Sequence, residues 1–228
     1  MTCWRETAVS RELAQALGQA LPPGLRCAVA EVVVGSDAKS SLALHAERFP
    51  AEAELAKNAV PKRLFEFIAT RTLARELLAD MGHGAVSIPR GPLGAPEWPQ
   101  GIVGTLAHSD GLVVVVLGSA EPYRALGIDL EPNEPLPEDV RSYVSLPGED
   151  DRAPAARAVF VVKEAFYKAH CGVHGRMLDF SDVRVTWHND GWNARELRPP
   201  ANCTGPTSLS GTFTIAAGWL AAFCAISR

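Results

Sequence analysis

Two stretches of the sequence close on the same pattern. "GTLAHSDGLVVVVL" from Gly104 and "GTFTIAAGWLAAFCAI" from Gly211 both begin Gly-Thr and carry a second glycine seven positions on, Gly111 and Gly218. A glycine between two apolar, strand-prone runs marks a tight hairpin turn, so the chain ends two long segments in equivalent hairpins. What precedes each hairpin repeats as well. First comes a strand-like run, "CAVAEVVV" (27–34), and a helical pattern over about 61–81 closed by Gly82; then "ALGIDLE" (125–131) and a helical pattern over about 154–170 stopped by Gly172. The same order of elements twice predicts an α+β fold, a pseudo-dimer of two similar halves. The N-terminal half spans 1–120 and the C-terminal half 121–228, joined near "GSAEPYR" (118–124). Coincidental likeness within one mixed sheet is the alternative. Similar halves leave a cleft between them, a usual place for a ligand.

Composition narrows the classes. The 228 residues are 47% hydrophobic and 21% charged, as in globular chains, and the net charge of −4 argues against nucleic acid as a main partner, which needs a basic footprint. The cysteines (Cys3, Cys27, Cys171, Cys203, Cys224) are odd in number and form no C-x-x-C pair, which argues against a disulfide framework or a four-thiolate zinc site. The start lacks a continuous apolar signal segment, and the longest apolar runs, "GLVVVVLG" and "AAGWLAAFCAI", are too short to span a bilayer. The expectation is a soluble cytoplasmic protein. A monomer is also expected, since two halves in one chain supply their own interface.

Several polar residues sit where apolar ones belong. Asp129 and Glu131 lie two apart on an apolar strand and so share a face, where their repulsion is tolerated in solvent or around a cation. In the first helix the stripe of Leu64, Phe67, Ile68, Ala74, Leu78 and Met81 has one slot filled by Arg71. A guanidinium there snorkels to solvent, pairs with an acid, or faces a cleft that receives an anion. Arg63, two turns earlier and about 80° round the helix, is placed to reach the same polyanion. In "AVFVVKEAFYKAHCG", Lys163 interrupts the stripe of Val159, Val162, Phe166 and His170, while Glu164 and Lys168 are four apart, the spacing of a surface ion pair. With Asp129 and Glu131 upstream, Glu164 is also a candidate third ligand of a magnesium site. His170, Cys171 and His174 resemble a zinc cluster but lack an evident fourth ligand. His108, at a strand end before a turn, is either structural or a phosphate contact. Phosphate-binding glycine loops and the serine-hydrolase elbow are missing from the sequence.

Together, "PKRLFEFIATRTLARELLADMG", "IPRGPLGAPEWPQGIVGTLAHSDG", "ALGIDLEP" and "VVKEAFYKAHCG" stand in the order seen in the 4′-phosphopantetheinyl transferases, and the chain resembles their long, two-halved bacterial type over about 61–180. The G-I-D-x-E and K-E-A-x-x-K pair, with A-P-x-W-P-x-G, is the specific part. The resemblance implies coenzyme A in the cleft and Mg²⁺ held by Asp129, Glu131 and Glu164. It implies coenzyme A phosphate contacts from Arg63, Arg71, Arg90 and His108, with Lys163 and Lys168 lining the pyrophosphate. The implied reaction moves the phosphopantetheine arm onto a serine of an apo acyl or peptidyl carrier protein, with Glu164, directly or through water, taking the serine proton and Lys168 steadying the phosphate charge. Two rival readings stand beside it: another magnesium-dependent pyrophosphate-cleaving enzyme, and a silent coenzyme A or carrier-protein binder. Ala107 and Val161 occupy slots where the family commonly has a hydroxyl, and Thr105 replaces a usual serine. Residues 1–50 and those from about 182 onward carry no family motif.

Overall fold

The structure, a computed structural model, describes residues 3–35, 37–150, 153, 155, 157–188 and 191–228. Two antiparallel sheets carry it. Strands β1 (Trp4–Arg5), β2 (Arg26–Val32), β3 (Ile102–Ser109) and β4 (Leu112–Ser119) form one, in the order β1-β2-β4-β3. Strands β5 (Tyr123–Pro132), β6 (Val183–His188), β7 (Gly191–Glu196), β8 (Ser208–Ala216) and β9 (Trp219–Ser227) form the other, in the order β5-β9-β8-β7-β6.

The repeat read from sequence is present in the hydrogen bonding. In each sheet the opening strand pairs with the last strand of the hairpin, giving β2-β4-β3 and β5-β9-β8. Both hairpins turn through two residues of positive φ, Asp110 (42°) with Gly111 (82°) and Ala217 (51°) with Gly218 (78°). That geometry matches the twist of the flanking strands and favours glycine at the second position.

Helices α1 (Ala8–Ala20), α2 (Ala38–Arg48), α3 (Pro50–Ala56) and α4 (Pro61–Asp80) belong with the first sheet, and α5 (Glu138–Val144) and α6 (Ala158–His174) with the second. α4 opens on Pro61, whose missing N–H costs nothing in the first turn, and the chain leaves it through Gly82 at φ 83°. It lays Phe65, Leu73, Leu77 and Leu78 on Val113, Val115 and Leu117 of β4. The alternate residues Val114 and Val116 face the opposite way, into a core built from both halves: Leu13 and Leu17 of α1, Val103 and Ala107 of β3, and Leu126, Ile128 and Leu130 of β5. A strand buried on both faces reads as an unbroken apolar run, which accounts for "LVVVVL".

The second helix differs from expectation. It runs past Gly172 to His174 and ends at Gly175, which is left-handed at φ 61°. Gly172 is there for proximity: a Cβ on it would stand 3.1 Å from the Cβ of Ala125 on β5. The described helix begins at Ala158, and the expected start at Pro154 lies outside the described residues. β1, β6, β7, α1, α2, α3 and α5 carried no sequence expectation. No helix among the described residues is long and apolar enough to cross a membrane.

Candidate active site

β3 and β5 are the facing edges of the two sheets. The hydroxyl of Thr105, 4% exposed, accepts the Ile128 N–H at 3.2 Å, satisfying a backbone donor that β5 would otherwise bury unpaired. Polar residues collect where these edges meet α4 and α6.

From the second half come the acids. Asp129 is 7% exposed; its Oδ1 accepts from the Lys168 ammonium at 2.8 Å, and Lys168 also donates to Ile128 O at 2.9 Å. Asp129 Oδ2 is buried without a partner among the described residues. Burial pushes the Asp129 carboxyl up to about 6 against the pull of Lys168, with Glu164 adding to the rise. Glu131 accepts from Arg157 Nη1 at 2.9 Å and is raised by burial and by Asp129. Glu164, half-buried on α6, is raised by burial and by Glu131, with Lys168 opposing. The three acids thus feel one another. Lys168, placed by spacing to pair with Glu164, instead gives its ion pair to Asp129.

From the first half come cations. Arg63 Nη1 reaches His108 Nδ1 at 2.9 Å and the buried Glu66 carboxylate at 3.1 Å. His108 is held below its ordinary range by burial, opposed by Glu66 and reinforced by Arg63, Lys168 and Arg71. Cations of both helices therefore face it. Arg71 does not snorkel out: it is 5% exposed, stacks 3.6 Å over Phe67, and leaves Nε without a partner among the described residues. Burial lowers it to about 10, Glu52 opposing and Arg90 and Arg75 reinforcing. A buried, positively charged guanidinium with a spare donor suits an anionic ligand. Arg90 stands on the loop after α4, electrostatically next to Arg71.

Lys163 corrects the sequence reading. Its ammonium, 1% exposed, donates to Val144 O at 2.8 Å, Glu149 Oε2 at 2.8 Å and Phe180 O at 3.0 Å. All three protons are committed inside the second half, so the structure does not bring it to the cluster as a pyrophosphate contact. Ala107 and Val161 are buried in the apolar cores. His170 and His174 stack at 4.1 Å, but His170 Nε2 is taken by Glu196 at 3.2 Å and His174 Nδ1 by the Cys203 thiol at 3.5 Å. Glu66, Arg157 and Glu52 were missed by sequence reasoning. Only Glu66, three residues after Arg63 on one helix face, had a usable signal.

The donors at Asp129, Glu131 and Glu164 are all carboxylate oxygens, and one is buried and unsatisfied; this chemistry suits a hard dication. With Lys168 and Arg157 occupying two of the acids, no three metal-ligating side chains already form a cage among the described residues. Beside Lys168 a cavity of about 480 Å³ runs between the halves, lined by Trp98, Thr105, Leu126 and Tyr167.

A family model described as the 4′-phosphopantetheinyl transferase N-terminal domain matches residues 51–118. The chain is 36% identical to the 4′-phosphopantetheinyl transferase Npt of Nocardia iowensis over 75% of its own length and 86% of the relative's. It is 37% identical to PptT of Mycobacterium tuberculosis over 74% and 82% of the two chains, and 37% identical to Svp of Streptomyces mobaraensis over 72% and 71%. Identity at this level across most of both chains, together with the two-halved α+β fold, makes this chain a member of the 4′-phosphopantetheinyl transferase family.

Proposed function

We propose that the cleft between the two sheets transfers the phosphopantetheine arm of coenzyme A to a serine hydroxyl of an apo acyl or peptidyl carrier protein, releasing adenosine 3′,5′-bisphosphate. The observation that carries this reading is the meeting of Arg63, Arg71 and His108 from one half with Asp129, Glu164 and Lys168 from the other, with cations of both halves perturbing one histidine. Coenzyme A carries phosphate at two separate places, and a site with two groups of cations matches it.

In this reading Asp129, Glu131 and Glu164 would hold Mg²⁺ in place of the present ion pairs to Arg157 and Lys168. When bound, the ion supplies charge neutralisation for the diphosphate. The protein's own residues do the rest. Lys168, 27% exposed in its side chain, binds the phosphate under attack. Arg63 and His108 hold the leaving bisphosphate. The serine oxygen forms a bond to the phosphorus that carries the pantetheine arm, the bond from that phosphorus to the bridging oxygen breaks, and the serine proton passes to Glu164, directly or through water. The raised affinity of Glu164 for a proton favours this. The cavity beside Lys168 receives the pantetheine arm. The chain acts as a monomer, and its free cysteines fit the reducing cytoplasm.

The test is incubation with coenzyme A, Mg²⁺ and a panel of apo-carriers, read by intact mass. Gain of one phosphopantetheine arm on a carrier is the expected result. Cleavage of coenzyme A without transfer, or binding without reaction, would sink the reading and leave one of its two rivals.

A further inference from the structure

Among the buried carboxylates outside the acid cluster, two occupy the same place in the repeat. Glu52 stands nine positions before the first residue of α4 (52 before 61), and Glu149 nine before that of α6 (149 before 158). Both are buried, at 0% and 1% exposure. Oε1 of Glu52 accepts the backbone N–H of Ile88 at 2.6 Å, and Oε1 of Glu149 that of Val185 at 2.7 Å; each partner lies 36 residues later. Each carboxylate also takes a cation from the helix it precedes, Arg75 at 2.8 and 3.1 Å and Lys163 at 2.8 Å. A matching arrangement in both halves marks these as built staples, each tying the approach to a helix, the helix, and the segment leaving it.

In the first half the staple reaches the segment that carries Arg90. Ile88, fully buried, is two residues before Arg90, so the Glu52 bond fixes the root of the segment that carries this arginine. Arg75 is one helical turn after Arg71. Its guanidinium lies 3.7 Å over Phe49 and is satisfied by Glu52, which His45 Nε2 also meets at 2.8 Å. Arg71 has no such partner among the described residues. Glu52 thus neutralises Arg75, fixes the segment leading to Arg90, and leaves Arg71, one turn away, unpaired among the described residues.

We propose that Glu52 is a positioning residue that sets Arg71 and Arg90 as a pair to receive the phosphate of coenzyme A that does not react, the 3′-phosphate. The assignment rests on the reading of the cleft above. Lys168 and the acids serve the reacting diphosphate, whereas Arg71 stands among Glu52, Arg90 and Arg75 and acts on His108, which holds the leaving bisphosphate. Without the Glu52 carboxylate no single group can hold Arg75, His45 and the Ile88 N–H together, the charge-assisted bond to Ile88 is lost, the segment carrying Arg90 is released, and the pair comes apart.

The test is calorimetric binding of coenzyme A and of dephospho-coenzyme A, which lacks the 3′-phosphate, to the wild type, Glu52→Gln and Glu149→Gln, with KM, kcat and melting temperature. The wild type should prefer coenzyme A. Glu52→Gln should lose about tenfold or more of that preference, the effect of one charge-assisted hydrogen bond, through KM and with kcat little changed. Glu149→Gln should lower the melting temperature comparably and keep the preference. A preference retained in Glu52→Gln overturns the proposal in favour of a purely structural staple, and tighter coenzyme A binding overturns it in favour of a simple counter-charge. A wild type indifferent to the 3′-phosphate leaves nothing to position and also overturns it. If Glu52→Gln does not fold, Glu52→Asp keeps the charge on a side chain too short to span Arg75 and Ile88; loss of the fold in both is the purely structural outcome. A wild type that prefers coenzyme A yet loads no carrier refutes the proposed transfer and leaves this inference standing.

Discussion

The two halves share a scaffold and divide the chemistry. With the hairpin turns superposed in register, Asp129 and Glu131, which pair with Ala222 and Leu220 on β9, correspond to Ala28 and Ala30, which pair with Val115 and Val113 on β4. The acid positions of one half are therefore alanines in the other, and Ala30 packs in the core under α4. His108, a residue of the cleft, corresponds to the exposed Ile215. The helices also sit differently. α4 rests on Val113, Val115 and Leu117 of β4, while α6 lies directly on Gly127 of β5, where a Cβ would overlap the carbonyl oxygen of Ala165. One half thus holds its helix off the sheet on side chains and lines the cleft with cations. The other draws its helix down until Lys168 reaches a strand carboxylate. A duplicated frame does not duplicate a site, because a few substitutions at equivalent positions decide what each half contributes.

The largest effect should come from removing the asymmetry at its centre. Asp129→Ala should cut carrier loading by about a hundred- to a thousandfold or more while the fold persists, as measured by intact mass and circular dichroism. Restoring near wild-type loading would mean that the halves are not specialised as described. Next, Gly127→Ala should destabilise by roughly 3 kcal/mol or more and lower activity with it, because backbone atoms of α6 cannot give way as a side chain can. Denaturant titration measures the first and loading rates the second. A neutral result would mean that α6 does not rest on the strand.

A smaller loss tests the seam between the halves. Thr105→Val removes the acceptor of the Ile128 N–H and should cost about 1–3 kcal/mol, whereas Thr105→Ser should recover most of it; paired chemical denaturation curves decide. The smallest effect is on pH, away from the cleft. His170 is buried neutral at the end of α6, with burial pulling it down to about 4 from its ordinary 6.5. Below 6.5 the unfolded chain takes up a proton that the native one refuses, so this contribution to stability is full at neutral pH and is lost as pH falls toward 4. The slope should be about 1 kcal/mol per pH unit, and His170→Gln should flatten it in a series of melting curves.

Much of the frame was legible because it rests on local rules. The hairpins announced themselves through Gly111 and Gly218, and α4 through Pro61 and Gly82. Gly172 misled, since a glycine that ends a helix and one that lets a helix approach a strand look alike until the strand is in place. The staples at Glu52 and Glu149 were illegible, as each joins residues 36 apart with nothing in the intervening sequence to mark the pairing.

By itself the sequence determined the two-fold order of elements and the presence of two carboxylates on one face of β5, because strand and helix periodicity are properties of neighbouring residues. Which cation answers which acid was decided only in three dimensions. Lys163 and Lys168 lie five apart on one helix, yet the first is buried against Val144, Glu149 and Phe180 and the second opens to Asp129. The physical reason is that a helix turns them toward different neighbours, and what waits on each side comes from segments folded in from elsewhere in the chain.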